Sequence, residues 1–186
     1  MKWKNLLLDL LFTKKQFTST LNIKILDLEF SSKYFYIQKE SIVENITFNN
    51  RTFYSKFQKC EMPINPKQRA EHLNNEIELA IPLVEENFVN YIVIEYQQED
   101  WRIFYSLLKH LLKSLEIETF KAFINTKKEI FQLFIPREKI ELDEAYKEVE
   151  NIKHLLELKS KKSYKIYPNK NLPKNLNIIT LPTQKV

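Results

Sequence analysis

Apolar residues recur along this chain at two spacings, and the changes from one to the other divide it into elements. Residues 3–17, WKNLLLDLLFTKKQF, have a basic lead and an apolar centre interrupted by Asp9, which predicts an amphipathic helix. TLNIKILDLEF (20–30) alternates Leu21, Ile23, Ile25 and Leu28 imperfectly with polar neighbours, as one half-buried strand would. SKYFYIQ, ENITFNN and RTFYSKF then read as short strands joined by Asn turns. Two prolines in EMPINPKQ (61–68) mark a boundary, and a short helix over 66–74 follows, with Asn65 as cap and Pro66 in its first turn.

Beyond it the pattern is more regular. Glu76–Leu83 and Tyr91–Tyr96 are predicted strands, the second apolar on both faces and therefore central in a sheet. From Asp100 to Leu115, Trp101, Phe104, Leu107, Leu108, Leu111, Leu112 and Leu115 fall at helical spacing, with Glu99 and Asp100 at the electropositive start. Phe120–Asn125 and Ile130–Pro136 form a predicted hairpin around the tip TKKE. Leu142–Lys159 is a second amphipathic helix with Ala145, Val149, Ile152, Leu155 and Leu156 inward, and short strands at 164–167 and 177–181 follow. The succession strand, helix, strand, strand, helix, strand predicts an α+β fold: an RRM-like core of mixed sheet with two packed helices, preceded by the N-terminal helix and short strands. Two regions are expected, 1–62 and 63–186.

Composition narrows the chemistry. The chain of 186 residues has no glycine, where an average protein has about 7%. A phosphate-binding Walker loop, a dinucleotide fingerprint and a nucleophile elbow each need glycine for a tight turn or close backbone approach, so none is present in standard form. One cysteine, Cys60, excludes an internal disulfide and a multi-cysteine zinc site, and three scattered histidines (His72, His110, His154) read as structural. No window is long and apolar enough to span a bilayer, and the amphipathic start lacks a small-residue cleavage site, so a reducing cytoplasm and no membrane are expected. The formal net charge is +5, which favours a polyanionic partner without requiring one.

Two constellations carry the remaining signal. YIVIEYQQEDW ends an apolar strand on Glu95, Gln97, Glu99 and Asp100. Alternate residues of a strand share a face, so Glu95 and Gln97 could share a cation, but a neutral Gln97 cannot supply the second charge. Glu99 and Asp100 are accounted for by helix capping. The second constellation interleaves cations with aromatics: Lys127 and Lys128 at the hairpin tip, then Lys159, Lys161, Lys162, Tyr164, Lys165, Tyr167, Lys170 and Lys174. Such a set either holds phosphates and stacks bases or is a solvated basic face.

From His72 to Gln184 the chain resembles the archaeo-eukaryotic primase superfamily, in particular the primase domain of TOTE-type conflict systems. The resemblance is carried in order by HLNNEIELAIPL, IEYQQEDW, NTKKEIFQLFIP and YPNKNLPKNLNIITLPTQ, the last being the most specific. Positions that build the fold persist, among them Trp101, Pro168, Leu181 and Pro182, while the family's chemistry is substituted. Its first metal carboxylate falls at Glu95, its second at Gln97 and its catalytic histidine at Ile130. Its third acid falls at Tyr164, or at Lys165 with a gap. Two-metal phosphoryl transfer needs those charges. The resemblance therefore implies a degenerate site with no catalytic residue, no metal and no cofactor. What it implies instead is nucleic-acid binding through Lys127, Lys128, Lys161, Lys162, Lys165, Tyr167 and Lys170, as an accessory subunit in replication or genetic conflict of a mobile element, with a replication or conflict-system protein as a further partner. Two other readings stand beside it: an active nucleotidyltransferase with relocated ligands (Glu95 with Glu99 or Asp100), and a protein-only scaffold or inhibitor that mimics a primase subunit.

Overall fold

Tyr91–Tyr96 is apolar on both faces because both faces of its sheet are covered. The computed structural model describes residues 20–186, and the helix expected over 3–17 lies outside them. In chain order the elements are β1 (Leu21–Ile25), β2 (Leu28–Ser32), β3 (Phe35–Gln38), β4 (Glu44–Phe48), β5 (Arg51–Ser55), β6 (Phe57–Cys60), α1 (Pro66–Leu73), β7 (Leu79–Pro82), β8 (Val84–Glu85) and β9 (Phe88–Tyr96). They continue with α2 (Trp101–Ser114), β10 (Lys121–Asn125), β11 (Ile130–Glu141), α3 (Leu142–Lys159), β12 (Lys165–Tyr167), a 3₁₀ turn (Lys174–Leu176), β13 (Ile178–Thr180) and β14 (Gln184–Lys185). The fold is α+β.

The central sheet runs β12-β9-β11-β10-β14, with β8 pairing the start of β9. Every strand pair in it is antiparallel, so the expected mixed sheet is corrected to an antiparallel one. β10 and β11 are a tight hairpin, and each helical crossover returns its strand parallel to the one it left but one place over, β10 beyond β11 and β12 beyond β9, so that neighbours in the sheet run antiparallel. On one face, Ile92, Ile94, Phe131, Leu133, Ile135 and Ile166 bury against Phe104, Leu108, Leu111 and Leu112 of α2 and Val149, Ile152 and Leu156 of α3. On the other, Val93, Phe123 and Phe134 meet β1, β2 and a second sheet ordered β13-β7-β3-β6.

That second contact removes the expected division at 62/63. β3 pairs β7, and Leu21, Ile23, Leu28, Phe30 and Phe35 share one apolar cluster with Val93, Phe123 and Phe134. The early strands are the second layer of one core. The single strand expected over 20–30 is a hairpin, β1–β2, turning at Leu26 and Asp27 with Leu26 at φ 50°. Inward positions shift there from odd (Leu21, Ile23, Ile25) to even (Leu28, Phe30), and that change of phase is the turn. The β4–β5 ribbon stands apart; none of its apolar side chains joins the three apolar clusters of the described residues.

A glycine-free chain must turn on other residues. Asn49, Asn50, Asn75 and Asn87 take positive φ, as do Leu26, Glu86, Glu116, Glu129 and Lys139. Asn tolerates that region best, and the others cost about 1–2 kcal/mol each. α2 closes on a Schellman motif, with the Glu116 N–H bonded to Lys113 O and the Ile117 N–H to Leu112 O, so Glu116 occupies the position usually given to glycine. α1 starts as expected: the Asn65 carboxamide accepts from the Gln68 N–H at 2.8 Å while the Gln68 side chain accepts from the Asn65 N–H at 3.0 Å.

His72 ties α1 to the second sheet. The Leu79 N–H donates to its Nδ1 at 3.3 Å, so the proton sits on Nε2, which donates to Pro182 O at 3.3 Å. Burial holds this imidazole below its ordinary 6.5. A folded-state value below the unfolded one means stability present above about pH 6.5 and lost as pH falls through the folded value. Urea midpoints of wild type and His72→Gln, compared from about pH 7.5 down to 5.5, should show a steeper acid loss in wild type.

Candidate functional site

β9 leaves the sheet at Tyr96, and the residues after it separate two cavities. Along β9 the side chains of Tyr91, Val93 and Glu95 face the β1–β2 layer, while Ile92, Ile94 and Tyr96 face the helices. Glu95 is thus the last residue of a buried row, 8% exposed. Its neighbours across the sheet are Gln132 on β11 and Lys165 on β12, each in direct register with it. Gln132 is fully buried; its amide donates to Glu95 Oε1 at 2.9 Å and to Thr180 O at 2.9 Å. Gln132 Oε1 has no hydrogen-bond partner, the one such buried side-chain atom among the described residues.

The electrostatics follow from this placement. Burial raises the Glu95 carboxyl above its ordinary value, and the Gln132 hydrogen bond, Lys165 and Lys128 pull it back down. Burial likewise raises the Tyr167 phenol, whose ring packs in the apolar cluster below Glu95. Where two acids sharing a divalent ion would stand opposite one another, the sheet sets an acid opposite a lysine.

Four sequence-predicted positions meet here. Glu95, Gln97, Ile130 and Tyr164 line one cavity of about 150 Å³ together with Tyr96, Gln98, Ser163 and Lys165. β9 supplies Glu95, the start of β11 supplies Ile130, and the approach to β12 supplies Tyr164 and Lys165. Gln97 is held by its amide donating to Lys128 O at 3.0 Å. Among the described residues no three His, Cys, Asp or Glu side chains gather as a cation site.

Of the relocated set, Glu95 lines the smaller cavity, whereas Glu99 and Asp100 line a larger groove. Asp100 stands at the N-terminus of α2 but makes no side-chain capping bond, contrary to expectation. Its carboxylate pairs with Lys162 and accepts from the Tyr96 hydroxyl at 2.6 Å, and the Lys162 hydrogen bond holds it below the ordinary carboxylate range. Glu99 is exposed beside it, on a groove of about 1010 Å³ that also takes in Trp101, Phe131, Glu129 and Ser163.

The basic set divides. Lys165 and Lys128 flank Glu95, and Lys162 lines the larger groove. Lys128 is committed inward: its ammonium meets Glu78 Oε1 at 2.9 Å and Gln38 Oε1 at 2.8 Å. Lys170 pairs with Glu150 at 3.1 Å, and Tyr167 is half-buried against the apolar cluster of the early strands. Lys127, Lys161 and Lys165 are exposed, without a carboxylate partner among the described residues. Sequence reasoning missed the buried polar set Glu78, Asn125 and Gln132. Its signal was a lone Gln inside IFQLFI and a lone Asn closing KAFIN. Asn125 donates to Glu78 Oε1 at 3.2 Å and to Leu181 O at 3.1 Å, and accepts from the Lys128 N–H at 3.0 Å, which fixes the hairpin tip. Cys60 is half-buried, and burial raises its thiol, as an inert cysteine requires.

Fold and site together define an α+β protein with a lysine-flanked pocket built around a single carboxylate. A family model described as "Domain of unknown function (DUF1882)" matches residues 19–90, the stretch from β1 to the first residues of β9. Glu95, Gln97, Ile130 and Tyr164 lie outside that match. No curated protein matches the chain. No helix among the described residues is long and apolar enough to cross a membrane.

Proposed function

We propose that this chain is a non-catalytic, primase-like nucleic-acid-binding protein that serves as an accessory subunit in replication or genetic conflict of a mobile element. One observation carries the reading: Lys165 stands in register with Glu95 in the pocket that Gln97, Ile130 and Tyr164 complete. Glu95 is the acid in that lining, and a single carboxylate with lysines nearby carries too little negative charge to hold the divalent ions of in-line phosphoryl transfer. The succession β9-α2-β10-β11-α3-β12, folded into one antiparallel sheet with both helices on one face, supports the RRM-like part of the proposal. RNA-binding domains of that type stack bases on the open face of the sheet. Here β1, β2 and the second sheet cover that face, so a nucleic acid reaches the end of the sheet, where the pocket opens.

The test is fluorescence anisotropy of a labelled oligonucleotide as salt rises from about 50 to 200 mM. Binding is expected at low salt, weakening log-linearly with a slope of roughly −2 to −3, about 0.7 per neutralised phosphate. Absence of salt-dependent binding would overturn the proposal in favour of the protein-only scaffold. That second reading has its own observation in the β4–β5 region, where Ile42, Val43 and Tyr54 are exposed.

A further inference from the structure

The pocket does not end at Tyr164. That residue and Lys165 also line a third cavity, about 240 Å³, between α3 and β12, whose wall includes Tyr146, Lys153 and Lys170. Tyr164 is therefore the partition between two cavities. Its ring is backed by Phe104, with centroids 5.8 Å apart and planes at 26°, so the helical core holds it upright.

Charge decides which way a phosphate chain runs from the pocket. The large groove on the Trp101 side carries Glu99, Asp100 and Glu129 against Lys162, which Asp100 already neutralises. The α3–β12 cavity carries Lys153, Lys165 and Lys170 against Glu150. Lys170 meets Glu150 at 3.1 Å and Lys153 meets Glu157 at 3.8 Å, but all four side chains are about half exposed. Surface pairs of that kind contribute little and exchange readily for phosphate.

We infer that the pocket and the α3–β12 cavity form one track for a single-stranded nucleic acid, with Tyr164 stacking a base at their junction and Lys153, Lys165 and Lys170 receiving the backbone. The inference rests on the nucleic-acid reading above and specifies its ligand. A duplex cannot use such a track, because its bases are already stacked and the partition requires one to be splayed out.

The experiment compares single-stranded and duplex forms of one labelled sequence on the full chain. The single strand is expected to bind at least tenfold more tightly. Tyr164→Ala should weaken it about tenfold, within the range for one base–aromatic stack, while Tyr164→Phe binds as wild type. The double variant Lys153→Ala/Lys170→Ala should reduce the salt slope by about 1.4, or 0.7 for each phosphate left without its lysine. That surface variant keeps the test decisive if Tyr164→Ala fails to fold. Salt-dependent binding by wild type with no single-strand preference, or an unchanged slope in the double variant, overturns the track and leaves the broader reading standing. No binding by wild type overturns both.

Discussion

Lys165→Glu should destabilise the protein by about 2 kcal/mol near pH 8 and by much less near pH 5. The substitution puts a second carboxylate opposite Glu95, which is 8% exposed and already carries a raised carboxyl. Two like charges in such a site cannot both ionise without cost. The sign follows from the direction of the shift. A carboxyl whose folded value exceeds its unfolded 4.5 contributes stability fully present below 4.5 and lost as pH rises through the folded value. In the variant that loss should start at higher pH and run deeper. Millimolar Mn²⁺ should recover part of it, because an ion bound only by the folded state stabilises that state. Thermal unfolding at the two pH values, with and without Mn²⁺, measures all three effects. Equal loss at both pH values would mean that Lys165 acts on stability by packing alone.

Phe134→Ala is expected to cost about 4 kcal/mol, the larger effect of the two. Phe134 is fully buried on the face of β11 that meets the early strands. It packs edge-on with Phe30 at 6.2 Å, Tyr91 at 5.9 Å and Phe123 at 5.7 Å, and so joins the β1–β2 hairpin to the central sheet. Because both layers share that cluster, the substitution should lower one cooperative transition. Urea unfolding followed by near- and far-ultraviolet circular dichroism should give coincident curves in wild type and variant. A separate early transition of residues 20–62 would restore the division at 62/63.

Much of this architecture is legible in residue order because its elements are long and strongly periodic. The helical spacing from Trp101 and from Leu142, and the two-faced apolarity of Tyr91–Tyr96, fix α2, α3 and the central strand. Three features resisted for physical reasons. The β1–β2 turn has no Asn, Gly or Pro; it uses Leu26 and Asp27, and only the change of phase betrays it. Asp100 has the composition of a cap, but Lys162, 62 residues away, competes for the carboxylate and wins. Tyr167 reads as one more aromatic in a basic run, whereas strand alternation turns it inward with Glu95. Long-range pairing decides the last two cases, and no local pattern contains it. The convergence of Glu95, Gln97, Ile130 and Tyr164 was legible only through the resemblance, since residues from separate segments share no periodicity.

If a lone carboxylate with lysines nearby holds no metal ion, Mn²⁺ binding followed by electron paramagnetic resonance shows it most directly. Added Mn²⁺ should stay free in solution with wild-type protein, and Glu95→Ala should change nothing. Near-stoichiometric binding by wild type that disappears in Glu95→Ala would contradict the non-catalytic reading and return the pocket to metal-dependent chemistry.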